Sequence, residues 1–189
     1  MSSPPRLGAE RRRDTEYRLG HDVDLWVATA SPDGAPHLVP LSFDWNGKSL
    51  LLSTSGASVT ARNLAATRTV RIALGETRDV TVIEGVVDVL AMDGVSLQRA
   101  DGFARRTGFD PRASGTSYRW FRIWPRRIQA WREEDELAGR ELMRDRPLAE
   151  LMSLAPPGLG ESVGSWDRLV RDRARGATAQ MEPRAADGR

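Results

Sequence analysis

The hydroxyl side chains between residues 53 and 63 are the part of this sequence best suited to bind an anion. The segment reads STSGASVTARN and leads from a strand end through a loop of small residues into the start of a helix. Helix N-termini carry partial positive charge, and hydroxyl groups can donate hydrogen bonds to a phosphate. The candidate phosphate ligands are Ser53, Thr54, Ser58 and Thr60. A helix cap beside a solvated loop explains the same residues, and the sequence alone leaves both explanations open.

A second candidate lies where Pro40 interrupts the strand pattern HLVPLSF. Proline has no N–H group, so it removes one donor from a strand ladder and marks an edge or a bulge. Either feature would leave backbone groups free beside His37, Val39 and Leu41. Such groups could meet the polar edge of a flat ligand.

Two other motifs fail on their context. Gly47, Lys48 and Ser49 resemble the end of a phosphate-binding loop, but the glycine required five residues before Gly47 is a serine. Residues 160–164 spell G-x-S-x-G, yet a turn-rich polar segment surrounds them and no histidine follows. With no cysteine and two histidines in 189 residues, thiolate chemistry is excluded and a metal site is not expected.

Charge and hydropathy limit the partners. The chain has 28 basic and 26 acidic residues, a net charge of +2, and residues 21 to 146 hold 17 of each sign. A folded domain without net charge is poorly suited to bind nucleic acid, because nucleic acid attracts clustered basic side chains. No apolar run approaches the roughly 18 residues of a membrane span, and the N-terminus lacks the apolar stretch of a signal peptide. We therefore expect a soluble, cytoplasmic protein without a nucleic-acid or membrane partner.

Short strands make up most of the predicted elements. Residues 1–21 form a polar arm or short helix outside the core, and residues 22–146 form the folded domain. Its pattern predicts a three-strand meander from residue 23, a helix over 58–66 capped by Ser58, two strands, a helix over 93–107, and a last strand broken near Pro125. Residues 147–189 form a polar tail, partly disordered. Six strands with few helices indicate a mainly β fold, a small barrel or sandwich.

Four tryptophans fall on these strands, and we assign them to packing or to a subunit interface: Trp26, Trp120, Trp124 and Trp131. The segments TVIEGVVDVLAM and YRWFRIWPRRIQAW offer more apolar positions than one small interior can use. We expect this excess to face a second copy of the chain.

From residue 23 to residue 144 the sequence resembles the flavin- and deazaflavin-binding split β-barrels related to pyridoxamine 5′-phosphate oxidase. Four segments carry the resemblance by their order and spacing: DGAPHLVPLSF, STSGASVTARNL, TRDVTVIEGVV and RIWPRRIQAWRE. The resemblance implies a six-stranded split β-barrel that acts as a homodimer with two cofactor sites at the subunit interface.

The resemblance also implies which residues hold the cofactor. It places His37, Val39, Pro40 and Leu41 near the isoalloxazine or deazaflavin ring. Near the cofactor's phosphate it places Ser53, Thr54, Ser58, Thr60, Arg62 and Asn63. Many relatives have adjacent basic residues after the loop serine, where this chain has Val59 and Thr60. Charge compensation must therefore come from Arg62, another arginine or the helix dipole.

The activity that the resemblance implies is hydride transfer between coenzyme F420, or as second choice FMN, and a small organic substrate. The segment RIQAWREEDELAGRELMRD looks like the actinobacterial deazaflavin branch, and arginines suit the acidic tail of that cofactor. The arginine- and histidine-containing C-terminal motif of true pyridoxamine phosphate oxidases is missing, which argues against that activity. Two alternatives remain: a protein that binds a flavin, F420 or haem without turnover, and a dimeric module that has lost its cofactor. No catalytic side chain and no specific substrate can be named.

Overall fold

Alternating apolar residues form six antiparallel strands and a short seventh. The structure is a computed structural model, and it describes residues 4–114 and 117–144. The strands are β1 (Asp24–Ala30), β2 (Pro36–Trp45), β3 (Leu50–Ser55), β4 (Thr69–Glu76), β5 (Asp79–Leu90), β6 (Tyr118–Arg132) and β7 (Glu141–Met143). The helices are α1 (Gly8–His21), α2 (Val59–Thr67) and α3 (Leu97–Thr107), with single 3-10 turns at Pro111–Ser114 and Glu134–Glu136. None of these helices is long and apolar enough to cross a membrane. The tail over 147–189 and the G-x-S-x-G match within it lie outside the described residues.

The six long strands close into a barrel. Neighbouring strands follow the order β3-β2-β1-β4-β5-β6, and β3 also pairs with β6, so the sheet has no end. The predicted mainly β fold with a six-stranded barrel is therefore confirmed. The additional strand β7 pairs with β6 outside the closed ring, and no pattern in its three residues predicted it.

Two apolar clusters hold the barrel together. Side chains on the inner strand faces fill the interior, among them the fully buried Phe43, Leu52, Ile72, Ile83 and Phe121. On the outer side, α3 packs its Phe103 against Leu51 and Trp120. The rings of Phe103 and Trp120 meet edge to face with centroids 5.0 Å apart, which adds to the stabilisation from burial. The packing role expected for Trp120 is confirmed.

Residues 8–21 form a helix, one of the two forms expected for this segment, but the expectation that it lies outside the core is wrong at Leu19, which joins the interior cluster. The segment forms α1, and Arg11, Thr15 and Leu19 are its buried residues. Residues four apart share one face of a helix, and Leu19 at the end of this series joins the interior cluster. This narrow face was not recognised in the sequence because arginines make up much of the segment. Several of the arginines at this end of the chain pair with acidic residues far away in the sequence.

The two helix predictions differ in accuracy. Helix α2 begins after Ser58, whose hydroxyl accepts a hydrogen bond from the backbone N–H of Ala61, as predicted. Helix α3 begins at Leu97 and not at residue 93, because Gly94 closes a turn with Ala91 and Ser96 provides the cap. The apolar spacing extended into the turn, and the cap residue was the signal that marked the true start.

Strand β6 continues through Pro125, so the predicted break is wrong. The register between β5 and β6 shifts by one residue: Glu84 pairs with Arg127, but Gly85 pairs with Pro125. A bulge of this kind accommodates a residue that cannot donate to the ladder. It also brings the strands close, because a Cβ atom on Gly85 would lie 2.6 Å from Ile123 Cγ2 and 3.0 Å from the carbonyl oxygen of Trp124.

Replacing Gly85 with alanine should therefore destabilise the protein by about 1–3 kcal/mol, the usual effect of forcing a methyl group into a packed site. Urea unfolding followed by tryptophan fluorescence measures this change. Gly102→Ala is the matched control, since nothing lies within 4 Å of its Cβ position in α3. In a helix that change should stabilise by roughly 0.5–1 kcal/mol. Equal stability of Gly85→Ala and the native protein would show that the bulge can accommodate a methyl group at residue 85.

Candidate functional site

Strands β2 and β3 separate part-way along the barrel. They pair only where Phe43, Asp44 and Trp45 face residues 50–52; residues 53–55 of β3 have no partner on β2, while β3 pairs with β6 along its whole length. Residues 36–42 of β2 consequently pair with β1 alone among the described strands. We call the other side of this segment the open edge of β2.

The backbone groups at the open edge follow from the alternation of an antiparallel ladder. The N–H of Phe43 donates to the carbonyl of Val23 at 2.9 Å, so the polar groups of Phe43 point towards β1. Because the direction alternates along a strand, those of Leu38, Pro40 and Ser42 point to the open edge. The missing N–H of Pro40 therefore costs no bond to β1, and the register passes Pro40 without interruption. Of the two interpretations of Pro40, the structure supports an edge and not a bulge.

Side chains of the same segment alternate between the two barrel faces. Val39 and Leu41 are half-buried and pack against the interior cluster. Leu38 and Pro40 are exposed on the outside, where Pro40 lies across from Trp26 on β1. A ligand at the open edge would therefore meet backbone groups rather than the side chains of Val39 and Leu41.

Two hydrogen bonds join α2 to the ends of β1 and β2. His37 Nε2 lies 3.1 Å from Thr60 Oγ1, and Asn63 Nδ2 donates to Thr29 Oγ1 at 3.1 Å. Thr29 and His37 are direct partners in the β1–β2 register. The structure thus brings His37, Thr60 and Asn63 together, with Thr60 and Asn63 buried. Thr29 was missed, because its role depends on a strand register that no local pattern indicates.

The hydroxyl groups of the β3–α2 loop divide into two sets. Ser53 is buried and donates to the carbonyl of Arg119, so it ties β3 to β6. Thr54 and Ser58 are half-buried, and Thr54 Oγ1 lies 3.4 Å from Ser58 Oγ. The hydroxyl of Ser58 accepts from Ala61 and can still donate its own proton. The first-turn N–H groups of Val59 and Thr60 have no acceptor within the helix, as in any α-helix.

Two arginines lie near this loop. Arg62 is exposed on α2 and donates to the carbonyl of Ala57. Arg119 lies directly across from Thr54 in the β3–β6 register, a position that no local pattern in the sequence indicates. Only the closure of the barrel brings Arg119 beside the loop. Within the described residues, no three His, Cys, Asp or Glu side chains come together to hold a metal ion.

Residues 24–132 match the family model of pyridoxamine 5′-phosphate oxidase, which covers more than half of the chain. The chain belongs to this family. No curated protein is similar to it in sequence.

Solved structures share the family fold at low identity. An F420 reductase is 19% identical with a TM-score of 0.51, over 60% of this chain and 94% of the reductase. HutZ, the haem storage protein from Vibrio cholerae, is 19% identical with a TM-score of 0.56, over 64% of this chain and 94% of HutZ. HupZ from Group A Streptococcus is 17% identical with a TM-score of 0.51, over 68% of this chain and 96% of HupZ. At these identities the similarity establishes the split-barrel fold of the family.

Proposed function

We propose that this protein is an oxidoreductase that transfers a hydride between a bound coenzyme F420 and a small organic substrate, with FMN as the second choice of cofactor. The observation that carries the proposal is the open edge of β2 beside the N-terminus of α2. A planar ring with a polar rim and a phosphate needs these two features side by side. The bond between His37 and Thr60 joins them.

The residues present fit the phosphate of such a cofactor. The hydroxyl proton of Ser58 and the N–H groups of Val59 and Thr60 are donors of the kind that bind phosphate at helix N-termini, and Thr54 donates its own hydroxyl proton to Ser58 Oγ. Arg62 and Arg119 supply positive charge, which the positions of Val59 and Thr60 do not. Thr60 is better placed to use its N–H than its hydroxyl, because the hydroxyl contacts His37. Ser53 and Asn63 support the site through internal hydrogen bonds.

The residues at the open edge fit a flat polar ring. When bound, the cofactor supplies the hydride chemistry, so the protein needs to bind and orient it rather than provide a nucleophile. The backbone groups of Leu38, Pro40 and Ser42 would orient the ring's polar edge. The whole sequence contains no cysteine, which agrees with a protein that binds and orients the cofactor and provides no thiol nucleophile.

We prefer F420 to FMN for two reasons. Arginine makes up 27 of the 28 basic residues, and its guanidinium suits a tail of several carboxylates. The resemblance of the closing segment to the deazaflavin branch points the same way, and an F420 reductase shares the fold. Pyridoxamine phosphate oxidation is not proposed, because both histidines precede residue 38 and the substrate-binding motif is missing.

Haem binding without turnover is the second candidate, and His37 is the observation that favours it. A haem requires an axial ligand, and His37 is half-buried, whereas His21 is exposed and stacks on Tyr17. The haem storage protein HutZ shares the fold. Haem titration followed at the Soret band, with His37→Ala as comparison, distinguishes the two candidates.

Two substitutions test the phosphate site. Ser58→Ala should lower the free energy of unfolding by about 1 kcal/mol through the lost cap, and it should also weaken F420 binding. Arg62→Ala should weaken binding with little effect on folding, since Arg62 is exposed. Thermal unfolding and fluorescence titration measure the two effects separately. A lower melting temperature for Ser58→Ala with native affinity in both variants would show that the loop is only a helix cap.

A further inference from the structure

A concave surface lies on the outer face of the barrel, on strands that do not include the open edge of β2. Residues 28–30 of β1, 69–71 of β4, 84–86 of β5 and 126–127 of β6 line it together with Arg144, and we call it the outer cavity. Its volume is about 740 Å³, and sites for small molecules commonly measure roughly 300–1,000 Å³. None of the residues predicted to bind the cofactor lines it. The outer cavity therefore has the size of a second ligand site.

Positive charge is concentrated around the outer cavity. Glu84 lies among its lining residues with four arginines: Arg71, Arg126, Arg127 and Arg144. The carboxylate of Glu84 lies 2.7 Å from Arg71 Nη2 and 3.5 Å from Arg127 Nη1, and Glu141 pairs with Arg127 and Arg144. Four arginines against these two glutamates leave a net charge of +2. Residues 21 to 146 as a whole hold 17 charges of each sign, so the excess is local.

The bulge in β6 brings two successive arginines to this surface. Glu84 pairs with Arg127 and Gly85 pairs with Pro125, so Arg126 is the additional residue of the bulge. A regular strand points successive side chains to opposite faces, yet Arg126 and Arg127 both line the outer cavity. Bulges redirect side chains in this way, and they are frequent next to active sites. The irregularity that accommodates Pro125 thus also adds a positive charge to the outer cavity.

The arginines retain donors for a ligand, and the surface between them is apolar. A guanidinium group has five N–H donors in a planar arrangement. Arg71 uses Nη2 for Glu84, and its side chain is 64% exposed, so its other donors are accessible. Ala28, Ala30 and Val86 provide small apolar side chains in the same lining. Such a surface suits a molecule with a carbon skeleton and anionic groups at its rim.

We propose that the outer cavity binds a small organic anion that carries two or more carboxylate or phosphate groups. Arginine forms paired hydrogen bonds with both kinds of group, and two anionic groups balance the net charge of +2. The small apolar residues contact the carbon skeleton. This site goes beyond the proposed function, because a ligand here contacts none of the residues predicted for the cofactor.

Isothermal titration calorimetry of the full-length protein at 150 mM NaCl tests the site, with citrate and inorganic pyrophosphate as probes and acetate as the anion of single charge. We expect acetate to bind at least about tenfold more weakly than the better probe, because it makes fewer charge-assisted hydrogen bonds. A lower Kd for citrate identifies a carboxylate ligand, and a lower Kd for pyrophosphate identifies a phosphate ligand. Arg126→Gln should weaken binding of the better probe by about tenfold, and the exposed Arg71→Gln by about threefold.

Arg78→Gln is the matched control, because Arg78 is a 79% exposed arginine that pairs with Glu133 outside the outer cavity. It should keep the native affinity for both probes. Arg71→Gln removes a solvent-exposed side chain and should fold even if Arg126→Gln does not, so at least one variant reports on binding. Three results would each overturn the proposal: no binding heat with either probe, equal affinity for acetate, or the same loss of affinity in Arg78→Gln as in Arg71→Gln.

Discussion

Replacing Glu136 with glutamine should lower the free energy of unfolding by about 3 kcal/mol, the effect of removing one partner from a buried ion pair. The Glu136 side chain is 1% exposed and its carboxylate contacts the Arg6 guanidinium at 2.8 Å. It also accepts the backbone N–H groups of Arg6 and Arg132, at 2.7 and 2.6 Å. Arg6 keeps Asp14 and Asp79 as partners in the variant, so we expect the lower end of the usual range.

Replacing Glu136 with glutamine should also change how the free energy of unfolding depends on pH in acid. Hydrogen bonds from Arg6 hold the pKa of Glu136 at about 2, against an ordinary value of 4.5, although burial acts in the opposite direction. Because the folded-state pKa lies below the unfolded one, the contribution of Glu136 is complete above about pH 4.5. It is lost as the pH falls from there towards 2. The native protein should therefore lose its advantage over Glu136→Gln within this interval.

Urea unfolding of both proteins between pH 2.5 and pH 7 measures these effects. Glu133→Gln is the control, since the Glu133 pair with Arg78 is exposed and should contribute less than about 1 kcal/mol. Equal losses in the two variants would mean that the buried pair of Arg6 and Glu136 contributes no more than an exposed surface ion pair.

Replacing Trp26 with aspartate should separate a dimer into monomers. The excess apolar surface is expected on β5 and β6, where outward side chains such as Val82, Val86 and Trp131 are half-buried in the single chain. Among the described strands, the most exposed large hydrophobic side chains lie on the outward faces of β1 and β2, where Trp26 is 49% exposed and Leu38 is 59% exposed. We propose that a second copy covers this face. A buried tryptophan in an interface commonly contributes about 2 kcal/mol or more, which corresponds to roughly thirtyfold in Kd.

Sedimentation at micromolar concentration tests the dimer. The native chain should show about twice its 20.9 kDa mass, and Trp26→Asp should show the single mass. Leu97→Asp is the matched control, because Leu97 is 75% exposed but lies on α3. A native monomer that binds cofactor at full affinity would place the site within one barrel.

Local signals in the sequence predicted the features that depend on neighbouring residues. The meander follows from alternation and turn residues, and the start of α2 follows from the cap at Ser58. The burial of α1 was missed because it depends on partners far away in the sequence: Arg11 donates to the backbone carbonyl of Glu136, and Arg18 pairs with Asp79. The path of β6 was missed because a bulge against β5, and not β6 itself, accommodates Pro125.

The candidate site likewise contains some features that local sequence indicates and others that depend on strand pairing. The loop hydroxyls and Pro40 were selected from their own segments, and their functional roles remain predictions. The bond from His37 to Thr60 and the position of Arg119 across from Thr54 arise only when β2 and β3 separate and β3 pairs with β6. Sequence spacing contains no information about that separation.

The most direct test of the proposed function is a side-by-side fluorescence titration of the purified full-length protein with F420 and FMN. We predict binding of both, with the lower Kd for F420, because the arginine-rich chain suits its acidic tail. Tighter binding of FMN would reverse the order of the cofactors and leave the site in place. Binding of neither cofactor would contradict the assignment of this protein as a cofactor-dependent oxidoreductase.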